Sequence, residues 1–264
     1  MSLALVGVAF VTGAGGGIGR ACVEQFVRDG CTRLLITDLK DDHLAETVQS
    51  VKGINPEAIV VSKSGDITDN ETIDNLIKLT VTKFGRLDYA VNSAGIIGKQ
   101  KEITQLSLDD YDFVESVNAR AIWLCERAQI AQMLTQEPLP THDGRTGNKG
   151  AIVNISSMCG LIGLPNSTPY TMSKHAVIGL VRSDSTTFAR QGIRVNALCP
   201  GIIDTGLISP QVRDFTMEYC KKFTPMERLG TPQEVADVAS FLVSSRATYI
   251  SGAAILVDGG HTGQ

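Results

Sequence analysis

Seven short apolar runs, each divided from the next by a longer amphipathic stretch, recur from one end of this 264-residue chain to the other. They fall at 6–12, 33–37, 58–62, 87–92, 151–156, 193–199 and 253–257. All are rich in Val, Ile and Leu without strict polar–apolar alternation, as strands covered on both faces should be. The stretches 18–28, 41–51, 70–84, 108–134, 168–190 and 233–244 read as helices. Thr231, Pro232 and Glu234 give the last of these a cap, a first-turn proline and a capping-box partner. Alternation of this length implies βαβ units wound into a parallel sheet with helices on both faces. One such sheet absorbs the whole chain, so 1–264 is expected to be a single α/β domain.

Two segments break the rhythm. Residues 136–150 are polar and rich in Pro and Gly, which predicts a surface loop. Residues 202–229 follow Pro200-Gly201 and mix apolar and basic residues without a clean period. An insertion of that kind at the carboxyl edge of a sheet reads as a substrate-binding lid.

Composition excludes several functions. A net charge of -4 gives no reason to expect nucleic acid or an anionic membrane as a partner. The six cysteines and four histidines are scattered without metal-ligand spacing, so no metal is expected. The apolar run 3–11 is far too short to span a bilayer and reads as a buried strand. A cytoplasmic protein with reduced thiols is the expectation.

The first apolar run leads directly into Thr12-Gly13-Ala14-Gly15-Gly16-Gly17-Ile18-Gly19 and a helix. Glycines there permit a tight turn and let backbone N–H groups approach a pyrophosphate at the helix N-terminus. Strand before, helix after and an acid at the next strand end make the motif specific. That acid is Asp38, followed by Leu39 and standing 19 residues beyond Gly19. A carboxylate in this place bonds ribose hydroxyls and repels a 2′-phosphate, which points to NAD. No Arg or Lys occupies Thr37 or the glycine turn; Lys40 is the nearest cation.

Tyr170-Thr-Met-Ser-Lys174 opens the helix 168–190, and a spacing of four sets both side chains on one face. A free tyrosine titrates at about 10, and a neighbouring ammonium together with a cationic cofactor ring is expected to draw it toward the working pH. Ser157 lies thirteen residues before Tyr170, at the end of the strand 151–156. Asn92-Ser93-Ala94-Gly95 ends the preceding strand in the same way. Ligands of open α/β sheets bind outside these carboxyl ends.

Along its whole length the chain resembles the short-chain dehydrogenase/reductase family. The likeness rests on TGAGGGIG at 12–19, Asp38, GDI at 65–67, NSAG at 92–95, Asn118, NISS at 154–157, YTMSK at 170–174, PG at 200–201 and SGAAILVDGG at 251–260. It implies a Rossmann-type doubly wound sheet of about seven strands and a homotetramer or homodimer. It also implies that Tyr170 is the general acid/base, that Lys174 holds the nicotinamide ribose, and that Ser157 donates to the substrate oxygen. Asn118 would hold a water linking Lys174 to solvent. Asp66 and Ile67 would meet the adenine, Asn92, Ala94 and Gly95 would flank the ribose, and Pro200, Gly201, Ile203 and Thr205 would surround the nicotinamide and its phosphate. Gly13, Gly15, Gly16, Gly17, Ile18 and Gly19 would form the phosphate turn. The family usually has Asn where this chain has Ser93, a change expected to have a modest local effect. Of the adjacent serines, the thirteen-residue spacing selects Ser157 and leaves Ser156 structural.

Other residues invite a role and receive a blander reading. Cys159 has no histidine placed to activate it and reads as a pocket or core thiol. His175 points away from Lys174 and reads as a surface or packing residue. Lys221 and Lys222 form a solvated face or greet an acidic substrate group. Trp123 reads equally as an interface or a core residue. Ile202, Ile203, Leu207, Ile208, Phe215, Met217, Tyr219, Phe223 and Met226 suggest a wall for an apolar or cyclic alcohol. The function implied is hydride transfer between NAD and a small-molecule secondary alcohol or ketone. A carbonyl reductase of the same fold using NAD(P)H and a non-catalytic dinucleotide sensor are the alternatives.

Overall fold

The computed structural model describes residues 3–206, 208 and 210–263. The strands are β1 (Val8–Thr12), β2 (Arg33–Thr37), β3 (Ile59–Ser62), β4 (Tyr89–Asn92), β5 (Gly150–Ile155), β6 (Ile193–Pro200) and β7 (Ala254–Val257). They form one sheet in the order β3-β2-β1-β4-β5-β6-β7. Every neighbouring pair is parallel. Each therefore sits within one or two residues of the run that predicts it. The central strands β1, β5 and β6 are buried throughout, whereas the edge strands β3 and β7 are only half covered.

Helices α1 (Gly17–Arg28), α2 (Asp41–Ile54) and α8 (Pro232–Val243) supply one apolar layer, in which Phe26, Leu44 and Leu242 meet Val11 and Ile36. On the other face, α3 (Asn70–Phe84), α5 (Ala121–Leu134) and α6 (Thr168–Phe188) bring Leu76, Leu124 and Val181 onto Phe10, Leu35 and Ile152. The capping box read at Thr231 is formed: its hydroxyl accepts from the Glu234 amide while the Glu234 carboxylate returns the bond.

One expected helix is divided. The apolar period predicts a single element over 108–134, but α4 (Leu108–Glu115) passes through a π-helical turn at Ser116–Arg120 before α5 begins. The wider turn holds Asn118, whose side chain faces inward and is fully buried. Such turns are rare and gather at functional sites.

The strand order reverses between β1 and β4: β2 and β3 lie on one side of β1, and β4 to β7 run off on the other. This is the switch point at which open α/β sheets bind ligands. Residues 202–229 lie beyond the end of β6 and contain α7 (Pro210–Phe223). The loop 136–150 lies at the opposite end, where Gln136 donates to the carbonyls of Leu87 and Lys149.

Candidate active site

At the switch point the glycine turn is held by contacts that tolerate no side chain. Gly13 has φ +64°, and a Cβ there would come within 2.7 Å of the Ala94 nitrogen. A Cβ at Gly19 would lie 2.1 Å from the Gly13 carbonyl oxygen, so α1 can start this close to β1 only with glycine. The Thr12 hydroxyl accepts from the amides of Ser93 and Ala94 at 3.1 and 3.4 Å, joining the ends of β1 and β4. It is the Ser93 backbone that makes this bond, which explains why Ser serves where Asn is usual.

No side chain caps α1, and its N-cap Gly16 faces open space. A helix N-terminus with free N–H groups and no side chain over it is a fitting cradle for a pyrophosphate. Asp38 stands beside it: Oδ2 accepts from the Gly15 amide at 2.9 Å and Oδ1 from the Leu39 amide at 2.7 Å. Arg20, one residue past the turn, is engaged by Glu46, Thr47 and the Gly15 carbonyl. Thr205, at the root of the 202–229 insertion, lies 3.4 Å from where a Gly17 side chain would begin. These features fit a dinucleotide whose phosphates meet the turn and whose adenosine ribose meets Asp38.

Not every residue read as cofactor-binding is free for that task. The Asn92 side chain turns into the core, bonding Gln129 and Asn154, and offers a ligand only its backbone. Ile67 and Ile203 are buried in the apolar layers. The Asp66 carboxylate accepts from the amide and hydroxyl of Thr68. Gly201 packs against the Asp258 backbone, where a Cβ would approach to 2.8 Å.

Beyond the end of β5, Ser157 is buried and accepts from the Cys159 amide at 3.1 Å. Ser156 donates to the Lys174 carbonyl at 2.9 Å. Lys174 is buried on α6; its Nζ donates to the Ile155 carbonyl at 2.9 Å and lies 5.6 Å from the centre of the Tyr170 ring. Burial lowers the Lys174 ammonium to about 8, against a smaller upward pull from Cys159 and Cys199.

Tyr170 is half-buried, and protein crowded around its phenol pushes it up to about 12, with a hydrogen bond to Ser157 pulling the other way. Burial therefore outweighs the Ser157 bond within the protein's own surroundings.

Asn118 reaches this cluster from the π-turn. It exchanges bonds with the Ile96 backbone in both directions at 2.8 Å, and its second amide hydrogen goes to the Ser173 hydroxyl. Ser173 in turn donates to the Tyr170 carbonyl at 2.8 Å. Both Asn118 amide hydrogens are thus used within the protein. The sequence reading missed Ser173; its small size one turn after Tyr170 was the available signal.

Cys159 is buried and its thiol is raised by burial, as a pocket or core thiol should be. His175 is exposed and bonds the Thr171 carbonyl. Lys221 pairs with Glu218, which fits the solvated face. Trp123 is 47% exposed under the Arg127 guanidinium, which removes the core reading. The expected apolar wall is uneven: Ile203 packs into the core, Phe215 and Met226 face solvent, and Leu207 lies outside the described residues. Among the described residues no cluster of metal-ligating groups occurs, and no helix is long and apolar enough to cross a membrane.

A family model described as enoyl-(acyl carrier protein) reductase matches residues 13–262. A short-chain dehydrogenase of Aspergillus ruber, fogB, is 35% identical over 98% of this chain and 97% of its own length. The chain belongs to the short-chain dehydrogenase/reductase family. Levodione reductase of Leifsonia aquatica is 30% identical over 97% of this chain and 94% of its own. The crystal structure of a levodione reductase covers 97% of each chain with a TM-score of 0.88. The 2-(R)-hydroxypropyl-CoM dehydrogenase of Xanthobacter autotrophicus is 34% identical over 97% of this chain and 98% of its own. This member of the family is a short-chain oxidoreductase acting on an alcohol or ketone, and the family generally works with a nicotinamide dinucleotide.

Proposed function

We propose that the chain is an NAD-dependent dehydrogenase of a secondary alcohol, apolar or cyclic in type, with Tyr170 as the acid/base. The observation that carries this reading is the cluster of Ser157, Tyr170 and Lys174 at the sheet's switch point, with Asp38 on the phosphate turn. When bound, the nicotinamide ring supplies the site that accepts or returns the carbinol hydride. Ser157 donates to the substrate oxygen, Tyr170 takes the hydroxyl proton in oxidation and returns it in reduction, and Lys174 anchors the ribose. The Lys174 charge favours tyrosinate once the cleft closes over the reactants. Asn118 and Ser173 fix the helix that carries the pair.

Asp38 supports NAD over NADP, since its carboxylate repels a 2′-phosphate and the nearby Arg20 is occupied. The insertion 202–229 serves as the substrate lid. Six reduced, buried cysteines suit a cytoplasmic setting. The exposed Trp123 suits a homodimer or homotetramer contact.

The test is an NAD-reduction screen over alcohols of graded size, with Tyr170→Phe as the control. Turnover with NAD that Tyr170→Phe lowers about 100-fold or more, with NAD binding kept, supports the reading. Unaltered turnover in Tyr170→Phe, or preference for NADP, overturns the corresponding part. A reductive role is the second reading, favoured by relatives named reductases, among them levodione reductase and a γ-butyrolactone 1′-reductase of Streptomyces virginiae. Equilibrium direction with each cofactor pair separates the two.

A further inference from the structure

Beneath the active site, a chain of buried side chains links β4, β5, α5 and α6. Asn92 donates to Gln129 at 3.0 Å and to Asn154 at 2.8 Å, and Gln129 returns a bond to the Asn92 oxygen at 2.8 Å. Asn154 donates its own amide to Glu126 Oε2. All four residues are fully buried. The other carboxyl oxygen, Glu126 Oε1, is buried and meets no donor. What faces the Glu126 carboxyl from α6 is the carboxyl of Asp184, at hydrogen-bonding range.

Two carboxylates cannot bond one another unless one carries a proton. The other titratable group beside Glu126 is the buried thiol of Cys125 on its own helix, which burial keeps neutral. Asn154 on β5, Asn92 on β4 and Gln129 on α5 are uncharged amides. Among the described residues, the charged group acting on Glu126 is Asp184.

We propose that Glu126 is a neutral carboxylic acid in the folded protein, donating its proton to Asp184 and accepting from Asn154 through its carbonyl oxygen. The proton gives the whole chain one direction: Glu126 donates to Asp184, Asn154 to Glu126, Asn92 to Asn154, and Asn92 and Gln129 exchange bonds. Asn154 stands three residues before Ser157, and Asn92 immediately precedes Ser93-Ala94-Gly95. Glu126 is thus a positioning residue for both strand ends that border the cleft. This positioning role rests on the proposed function; the protonation itself does not.

Burial and the facing carboxylate both favour the neutral form and lift Glu126 from 4.5 to about 8. The folded state then binds a proton that the unfolded chain releases above 4.5, so stability falls as pH rises from there through about 8.

Glu126→Gln reproduces the protonated form permanently, its carbonyl accepting from Asn154 and its amide donating to Asp184. Thermal melts of wild type and Glu126→Gln across pH 5 to 9 give the first readout. The variant's Tm advantage should widen up to about pH 8 and then level. The second readout is infrared difference spectroscopy at neutral pH. A protonated-acid carbonyl band in wild type should vanish in Glu126→Gln, and also in Asp184→Asn, whose amide would donate to an ionised Glu126. A pH-independent Tm gap, a band that survives Glu126→Gln, or a Glu126→Gln variant that fails to fold overturns the proposal. A protein that shows the band and the pH-dependent gap but oxidises no alcohol would overturn the proposed function and leave this protonation standing.

Discussion

The Asn118 side-chain amide donates to the Ser173 hydroxyl across 3.2 Å, tying the π-turn to the helix that carries Tyr170 and Lys174. Ser173 passes the tie directly to Tyr170, donating to its carbonyl at 2.8 Å. Both side chains are fully buried, so a break in this link leaves polar atoms without water to replace their partners.

Ser173→Ala should therefore lower stability by about 1–3 kcal/mol, the cost of leaving one buried donor unpaired. Asn118→Ala should cost more, because it also strands the amide and carbonyl of Ile96. Both variants should lose kcat beyond what their melting temperatures explain, since the Tyr170 turn is no longer tethered. Turnover per folded molecule equal to wild type would show that the link serves stability alone.

Asp38 is held rigidly by the amides of Gly15 and Leu39, so its carboxylate is already aimed when a ribose arrives. Asp38→Asn keeps an acceptor for one of those amides but removes the negative charge. Its kcat/KM with NAD should fall roughly 10- to 100-fold, the worth of a hydrogen bond to a charged group. The ratio of NADP to NAD use should rise with it. Steady-state kinetics with both cofactors checks the pair, and an unchanged ratio would remove Asp38 from cofactor choice.

The two adjacent serines separate cleanly. Ser156 donates to the Lys174 carbonyl, whereas Ser157 bonds Tyr170 and lines the cleft. Ser156→Ala should cost about 1 kcal/mol of stability and leave kcat near wild type. Ser157→Ala should lower kcat by roughly 100-fold or more, the scale of losing one donor to the reacting oxygen. The reverse result would exchange their roles.

Strands and switch point were readable because a doubly covered strand announces itself as a short unbroken apolar run. The run 33–37 becomes β2 without adjustment. The π-turn was not readable, since Ile122, Leu124 and Cys125 continue the apolar spacing past Asn118 and one extra residue per turn barely disturbs it. Glu126 and Asp184 lie on different helices, and only folding brings their carboxyls together. Sequence shows Lys174 as a neighbour of Tyr170, but the burial that raises the phenol is a property of the assembled cleft.

Lys174 gives the most direct trial of what burial does to a charge in this cleft. The residue is 4% exposed, and burial lowers its ammonium from 10.5 to about 8. The folded state thus holds this proton less tightly than the unfolded chain. Below about 8 the cost of burying the charge is present in full; between about 8 and 10.5 the unfolded state binds more protons, and stability recovers as pH rises. Lys174→Met removes the charge and keeps most of the volume. At neutral pH it should be more stable than wild type by about 3 kcal/mol, less the single hydrogen bond to Ile155. The gap should close as pH climbs toward 10.5, while turnover is lost at every pH. Melting curves over that range, read beside activity, decide it. A variant less stable than wild type at neutral pH would mean that the Ile155 bond outweighs the buried charge.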